Sequence, residues 1–146
     1  SPDEIDVSDI NFEKKGDAPF GYGNSRSIFP APVRTYVTPS DGMIFRRHFE
    51  VDESKNYKSY AIKVASDNAA SIYINGKQVD YDVMMKMVAG HEFTYWNREV
   101  TIPANSIKKG DNELVILLAN DKDSSDAYLD VMIIGNKEVK RKRGKR

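Results

Sequence analysis

Apolar and polar residues alternate in short blocks along most of the chain, and Gly, Pro, Asn and Asp separate the blocks. A period of two is that of a half-buried strand, and helical spacing is nearly absent. In residues 5–12 the apolar positions are Ile5, Val7, Ile10 and Phe12, so the alternation slips once and predicts a strand with a bulge or bend near Ser8. Strands are expected at 44–51 and at 57–65, where Tyr60, Ile62 and Val64 share one face and Lys63 projects to the other. Ser71-Ile72-Tyr73-Ile74, Asn75-Gly76 and Lys77-Gln78-Val79 form a hairpin pattern. A type I′ turn needs positive φ at both central residues, and Asn-Gly tolerates this best. Further strands are expected at 99–102, 113–119 and 128–134. The run Leu114-Val115-Ile116-Leu117-Leu118 is apolar on both faces, which predicts a central strand covered on both sides.

Two stretches depart from the alternation. Residues 14–42 hold Gly16, Gly21, Gly23, Pro19, Pro30, Pro32 and Pro39, and their aromatics Phe20, Tyr22, Phe29 and Tyr36 predict a long loop packed onto the core. Residues 80–90 place Tyr81, Met84, Met85 and Val88 at i, i+3, i+4, i+7, with Asp80 as N-cap and Gly90 as stop, the pattern of one short helix. About eight strands with long crossing connections predict an all-β fold, an antiparallel β-sandwich of the jelly-roll kind with at most one short helix.

At 146 residues the chain fits one domain, placed at 1–136, followed by a tail at 137–146. No cysteine is present, which excludes disulfides, thiolate metal sites and thiol catalysis, and only His48 and His91 are available to a histidine metal centre. No apolar run approaches the ~18 residues of a membrane span. The expectation is a soluble chain whose secretion signal has been removed or was never present. The formal net charge of zero conceals an asymmetry: seven of the ten residues 137–146 are Lys or Arg and one is Glu, so the tail is +6 and residues 1–136 are −6. A negative body disfavours nucleic-acid binding by the domain and leaves any such role to the tail.

Several segments resemble a known family in its own order. GDAPFGYGN at 16–24, FRRHF at 45–49, VASDNAASIYINGK at 64–77, Ile102-Pro103 followed by Lys109-Gly110-Asp111-Asn112, and Leu129-Asp130-Val131 are similar to galactose-binding-like jelly-roll domains of secreted multidomain proteins. The later blocks are also similar to the sugar-binding jelly roll of β-galactosidases and β-glucuronidases. The resemblance implies an extracellular or cell-surface module. Such domains include carbohydrate-binding modules, spacers beside catalytic domains and adhesion units. It also implies a structural calcium, which some members carry.

Candidate chemistry is sparse. There is no nucleophile beside a base, paired-carboxylate cleft or metal triad at diagnostic spacing, so the isolated chain is expected not to be an enzyme. Gly21-Tyr22-Gly23 lacks the residues of a phosphate loop and suits a bend with positive φ. His48 sits inside an alternating strand, where a structural or surface role is the common one. The segment His91, Glu92, Tyr95, Trp96, Asn97 and Arg98 holds the only Trp beside hydrogen-bonding groups, the composition of a glycan site. A lone Trp in a sandwich also serves to fill the core between the sheets. Asp121, Asp123 and Asp126 offer the oxygen ligands calcium requires, although Asp and Ser also populate plain turns. Asp67-Asn68, before the hairpin, suits turn chemistry first and ligand chemistry second.

Lys140, Arg141, Lys142, Arg143, Lys145 and Arg146 suit an anionic partner. Residues 1–17 are −4, so head-to-tail attraction between copies is available, with residues 5–12 added as a strand to a neighbour's edge. The expected function is a noncatalytic extracellular or cell-surface module. It binds carbohydrate or a cell-surface polymer, or attaches a larger assembly to one. The alternative is a structural subunit self-assembling into a surface layer or filament through its termini. A third reading makes it a virion or nucleoprotein component acting through the tail.

Overall fold

A computed structural model describes residues 4–12, 14–23, 33–38, 42–54, 56–67, 69–80, 92–119 and 127–136, with backbone alone for 92–98 and 136. Among the described residues the regular structure is nine strands, β1 (Phe20–Tyr22), β2 (Thr35–Tyr36), β3 (Gly42–Val51), β4 (Ser59–Asp67), β5 (Ala69–Ile74), β6 (Lys77–Asp80), β7 (Glu92–Ile102), β8 (Gly110–Ala119) and β9 (Ala127–Asn136), with one 3-10 turn at Ala104–Ser106 between β7 and β8. They form a five-stranded sheet in the order β2-β1-β9-β4-β7 and a four-stranded sheet in the order β3-β8-β5-β6. Every strand pair is antiparallel except β1 with β2. The fold is an all-β sandwich. No α-helix occurs among the described residues, and no helix there is long and apolar enough to cross a membrane. The helix expected over 80–90 lies outside the described residues except for Asp80, which closes β6.

The alternation sets the core. Tyr60, Ile62 and Val64 of β4 meet Leu114, Ile116 and Leu118 of β8, Ile72 and Ile74 of β5, and Leu129 of β9 between the sheets. The other face of β8 is apolar as well, and Val115 and Leu117 pack with Tyr73 beneath Ile5, Val7 and Phe12. The doubly covered central strand is therefore β8, and its second cover is the start of the chain.

That cover is not the strand expected over residues 5–12. Apart from one bridge between Glu4 and Lys77 and a bond from Ile5 N–H to the Gly76 carbonyl, the segment has no ladder. The Asp6 carboxylate accepts the Ser8 N–H at 2.9 Å, and the chain bends at Ser8 and Asp9, where the alternation slips. This local bond competes with strand pairing, and it holds the Asp6 carboxyl below its ordinary value. Val7 is only 2% exposed, a burial that contributes roughly 1.5–3 kcal/mol. Donating residues 5–12 to another copy would forfeit that packing.

The 14–42 stretch also departs from expectation, because it contains β1 and β2 rather than loop alone. Phe20 packs on Phe45 of β3 at 5.2 Å between ring centroids. Gly21 lies so close to the Ala127 carbonyl of β9 that a Cβ would collide with backbone, and Gly23 adopts φ 79°. Of the two glycines read as a bend, one permits close strand approach and the other turns the chain.

The Asn75-Gly76 turn has φ 51° and 84°, as a type I′ hairpin requires. Its side chain does more than turn. Asn75 Oδ1 accepts the Glu113 N–H at 2.9 Å, and Nδ2 donates to the Ser106 carbonyl and to Asn112 Oδ1. Asn112, 1% exposed, also accepts the Lys108 N–H and donates to the carbonyls of Lys108 and Gly110. Replacing Asn112 with Ala removes its bonds to Lys108, Gly110 and Asn75 and empties a fully buried amide site, and the expected cost is about 3 kcal/mol in urea unfolding with an unchanged m value. Asn75→Gly keeps the turn and loses only the side-chain bonds, so about 1–2 kcal/mol is expected.

Candidate functional site

The long connections gather at one end of the sandwich. Strand β4 ends at Asp67, which pairs with Tyr128 of β9 on one side and Glu92 of β7 on the other. One residue later β5 begins at Ala69, opposite Ala119 of β8, which in turn faces Gly42 of β3. The connection 120–126 therefore departs and returns at this end, and the 81–91 connection enters β7 there. Sequence alone gave no reason to join the glycan candidates to the calcium candidates; the topology brings both connections to the same end. His91, Asp121, Asp123 and Asp126 themselves lie outside the described residues.

Strand β7 is the edge of the five-stranded sheet, and its pairing with β4 is broken near this end. Val64 pairs with Arg98 and Ser66 with Phe93, so residues 94–97 stand opposite Ala65 alone. Tyr95, Trp96 and Asn97 fall in this bulge, with Glu92 and Arg98 in the paired stretches on either side. The backbone is described there, and the side chains lie outside the described residues. Bulges on edge strands re-aim side chains and end pairing, and they concentrate beside binding sites.

Two carboxylates lie on the outer face of the five-stranded sheet at this end, Asp67 on the strand beside β7 and Asp130 one strand further, across β4 from the bulge. Asp67 is buried at the end of β4, a setting that turn chemistry alone does not require. Asp130, opposite Ala65, is half-buried. Burial pushes the Asp130 carboxyl above its ordinary value, against a smaller opposing effect of the Val131 N–H that donates to Oδ1 at 3.0 Å. Sequence reasoning missed Asp130 as a site residue. The available signal was a charge within the otherwise apolar strand pattern of Tyr128, Met132 and Ile134. Ser66 is fully buried, and its hydroxyl has no hydrogen-bond partner among the described residues.

Other candidates lie elsewhere. His48 is exposed on β3, with Nδ1 3.1 Å from Asp111 Oδ2 and Nε2 3.9 Å from Glu113 Oε2, a surface arrangement worth little to stability. No group of three or more metal-ligating side chains occurs among the described residues. The basic residues Lys140, Arg141, Lys142, Arg143, Lys145 and Arg146 are outside the described residues. The strand preceding them ends at Asn136 opposite Ser59, at the far end from Asp67. Two open depressions of about 480 and 410 Å³ also lie toward that far end and share Tyr57 and Tyr60, whose rings pack edge to face at 5.5 Å.

No family model matches the chain, and no curated protein matches it. Among solved structures, it is similar to part of the α-L-rhamnosidase from Aspergillus terreus, with a TM-score of 0.51 and 16% identity over 80% of this chain. It also matches part of the α-L-rhamnosidase from Dictyoglumus thermophilum, with a TM-score of 0.49 and 17% identity over 66% of this chain. The chain spans 14% and 11% of the lengths of those two enzymes. At such identity the likeness is one of fold.

Because burial raises the Asp130 pKa in the folded state, the native state holds that proton more tightly than the unfolded chain. Its ionisation therefore opposes folding above the folded pKa, and the penalty disappears as pH falls below the unfolded value of about 3.8. Asp130→Asn is expected to raise the melting temperature at pH 7, with the gain shrinking to nothing on acidification toward pH 3. A melting temperature lowered equally at all pH values would show that the carboxylate is compensated by its surroundings.

Proposed function

We propose that the chain is a noncatalytic carbohydrate-binding module of the galactose-binding-like jelly-roll type, spanning 1–136 and acting outside the cell or at its surface. The observation that supports this most is the broken edge of β7. It carries Tyr95, Trp96 and Asn97 on an irregular backbone at the end where the 120–126 connection departs and returns. Sugar recognition needs an aromatic face with amide, guanidinium and carboxylate groups around it, and this segment supplies all of them. The fold shared with part of an α-L-rhamnosidase supports a setting among sugar-processing proteins by analogy, and it makes α-L-rhamnosides a sensible first ligand class. The basic tail, leaving from the other end, would hold the module to an anionic surface polymer without competing for the sugar.

Glycan-array binding, with rhamnose-containing glycans included, tests this reading. Weak binding is expected, and Trp96→Ala should remove it while the melting curve stays unchanged. A loss of about 3–5 kcal/mol of stability in that variant would make Trp96 a core residue instead. If the module keeps a structural calcium through Asp121, Asp123 and Asp126, chelator should lower the melting temperature and calcium restore it. Identical curves with and without chelator would remove the ion from the account.

A further inference from the structure

Strand β9 has β4 along its whole length on one side, but on the other it has β1 only at Ala127, Tyr128 and Leu129. The pairing stops for a chemical reason. The residue next in register, opposite Asp130, is Pro19, which has no N–H to donate. Its carbonyl is already taken by the N–H groups of Arg34 and Thr35. From Asp130 to Asn136 the edge has no strand partner among the described residues, and of its main-chain groups the Val131 N–H is held locally by Asp130 Oδ1, a bond that an incoming strand would have to replace. The other long edge on this side, β3, is interrupted by the exposed charges of Arg46, Arg47 and Glu50, the usual guard against pairing with another chain. The open part of β9 reads Val131-Met132-Ile133-Ile134-Gly135, without charge or proline, and Met132 is 43% exposed. An unguarded apolar edge of this kind is a template for strand addition.

We propose that a second copy of this chain covers it, the two β9 strands pairing antiparallel about a twofold axis at Ile133. The open window runs over residues 130–136, bounded by β1 at one end and by the end of β9 at the other. Only one antiparallel register uses all of it. That register sets Asp130 against Asn136, Val131 against Gly135, Met132 against Ile134, and Ile133 against its own counterpart. Polar residues meet polar ones at the ends, and apolar residues meet in the middle. The Tyr57 ring lies over Gly135, where a Cβ would come within 2.6 Å of ring carbons. The second copy's Val131 therefore meets an aromatic surface rather than a gap. The depression lined by Phe49, Tyr57, Val131 and Ile133, with Arg47, Glu50 and Asp52 on its β3 side, borders this edge. Lys137, the first residue of the basic tail, would follow the Asn136 that faces Asp130, so the signs agree. A formal net charge of zero leaves no long-range repulsion between copies. The contact is isologous and closes at a dimer, unlike a head-to-tail chain built from the termini.

The chain has no cysteine, so one introduced thiol reports the register. Ile133→Cys brings two thiols together across an antiparallel pair, where Cα atoms are about 4.5–5.5 Å apart, within disulfide reach. Mild oxidation is expected to give a covalent dimer of twice 16.5 kDa. In Val131→Cys the two thiols are offset by four residues, about 13 Å along the strand, and no covalent dimer is expected. Light scattering on the unmodified chain should show a reversible dimer that dilution dissociates and salt does not. Met132→Lys puts a charge on the exposed face one residue from the axis and should give a monomer with an unchanged circular-dichroism spectrum. A chain that is monomeric at every concentration would overturn the proposal, as would equal cross-linking of both cysteine variants or a dimer that survives Met132→Lys. The outcome does not depend on sugar binding, since Trp96→Ala touches neither the edge nor the mass.

Discussion

The four-stranded sheet depends on one buried amide. Asn112 stands at the entry to β8 with its donors and acceptor satisfied by Lys108, Gly110 and Asn75. Asn75 in turn holds the Glu113 N–H and the Ser106 carbonyl while turning the β5–β6 hairpin. A polar side chain buried this deeply is stabilising only when every group finds its partner. The pair can meet in one arrangement, and a slip of β8 by one residue would separate it. Such a slip would also turn Leu114, Ile116 and Leu118 out of the core. Hydrogen bonding and apolar burial thus enforce the same register, and β3 and β5 inherit it from β8 on either side.

The irregularities of the five-stranded sheet divide the molecule by role. At the Asp67 end, the bulge in β7 and the long connections leave an irregular rim near the buried Asp67 and the half-buried Asp130. Along the β9 side, Pro19 ends the pairing with β1, and no further strand pairs there among the described residues. The two features are separated by the width of β4 and β9, so occupation of one leaves the other accessible. The start of the chain takes neither place. It is spent on covering Tyr73, Val115 and Leu117, with the Arg46 guanidinium 4.4 Å above the Phe12 ring closing the far end of that cover.

Much of this was legible in the residues. Alternation with β-branched and aromatic side chains identified β3, β4 and β9, because a half-buried strand leaves a period-two record wherever one face is wet. Asn75-Gly76 specified its hairpin because few other dipeptides accept positive φ twice. The two-sided apolar run 114–118 announced a strand covered on both faces. Other elements left weaker records. Strands β1 and β2 are two or three residues long, too short to show a period, and the extent of β7 back to Glu92 was obscured because its bulge breaks the alternation. Residues 5–12 carried a strand-like pattern, but the Asp6 side chain satisfied the backbone locally and the segment packed without a ladder.

What the sequence by itself determined is therefore the local chemistry: fold class, turn, central strand, and the aromatic and polar composition of residues 91–98. Those properties depend on neighbours in the chain, or on a single buried face that each strand records by itself. Only the tertiary structure decided which surface residues 5–12 cover. It also decided that the 81–91 and 120–126 connections share an end, that Asp130 is half-buried, and that among the described residues β1 pairs with β9 no further than Leu129. These depend on which strands lie side by side, and two strands far apart in sequence share no local signal that reveals their pairing. Pro19 shows the difference: its missing N–H is visible in the sequence, but its consequence is not, because nothing local places it opposite Asp130.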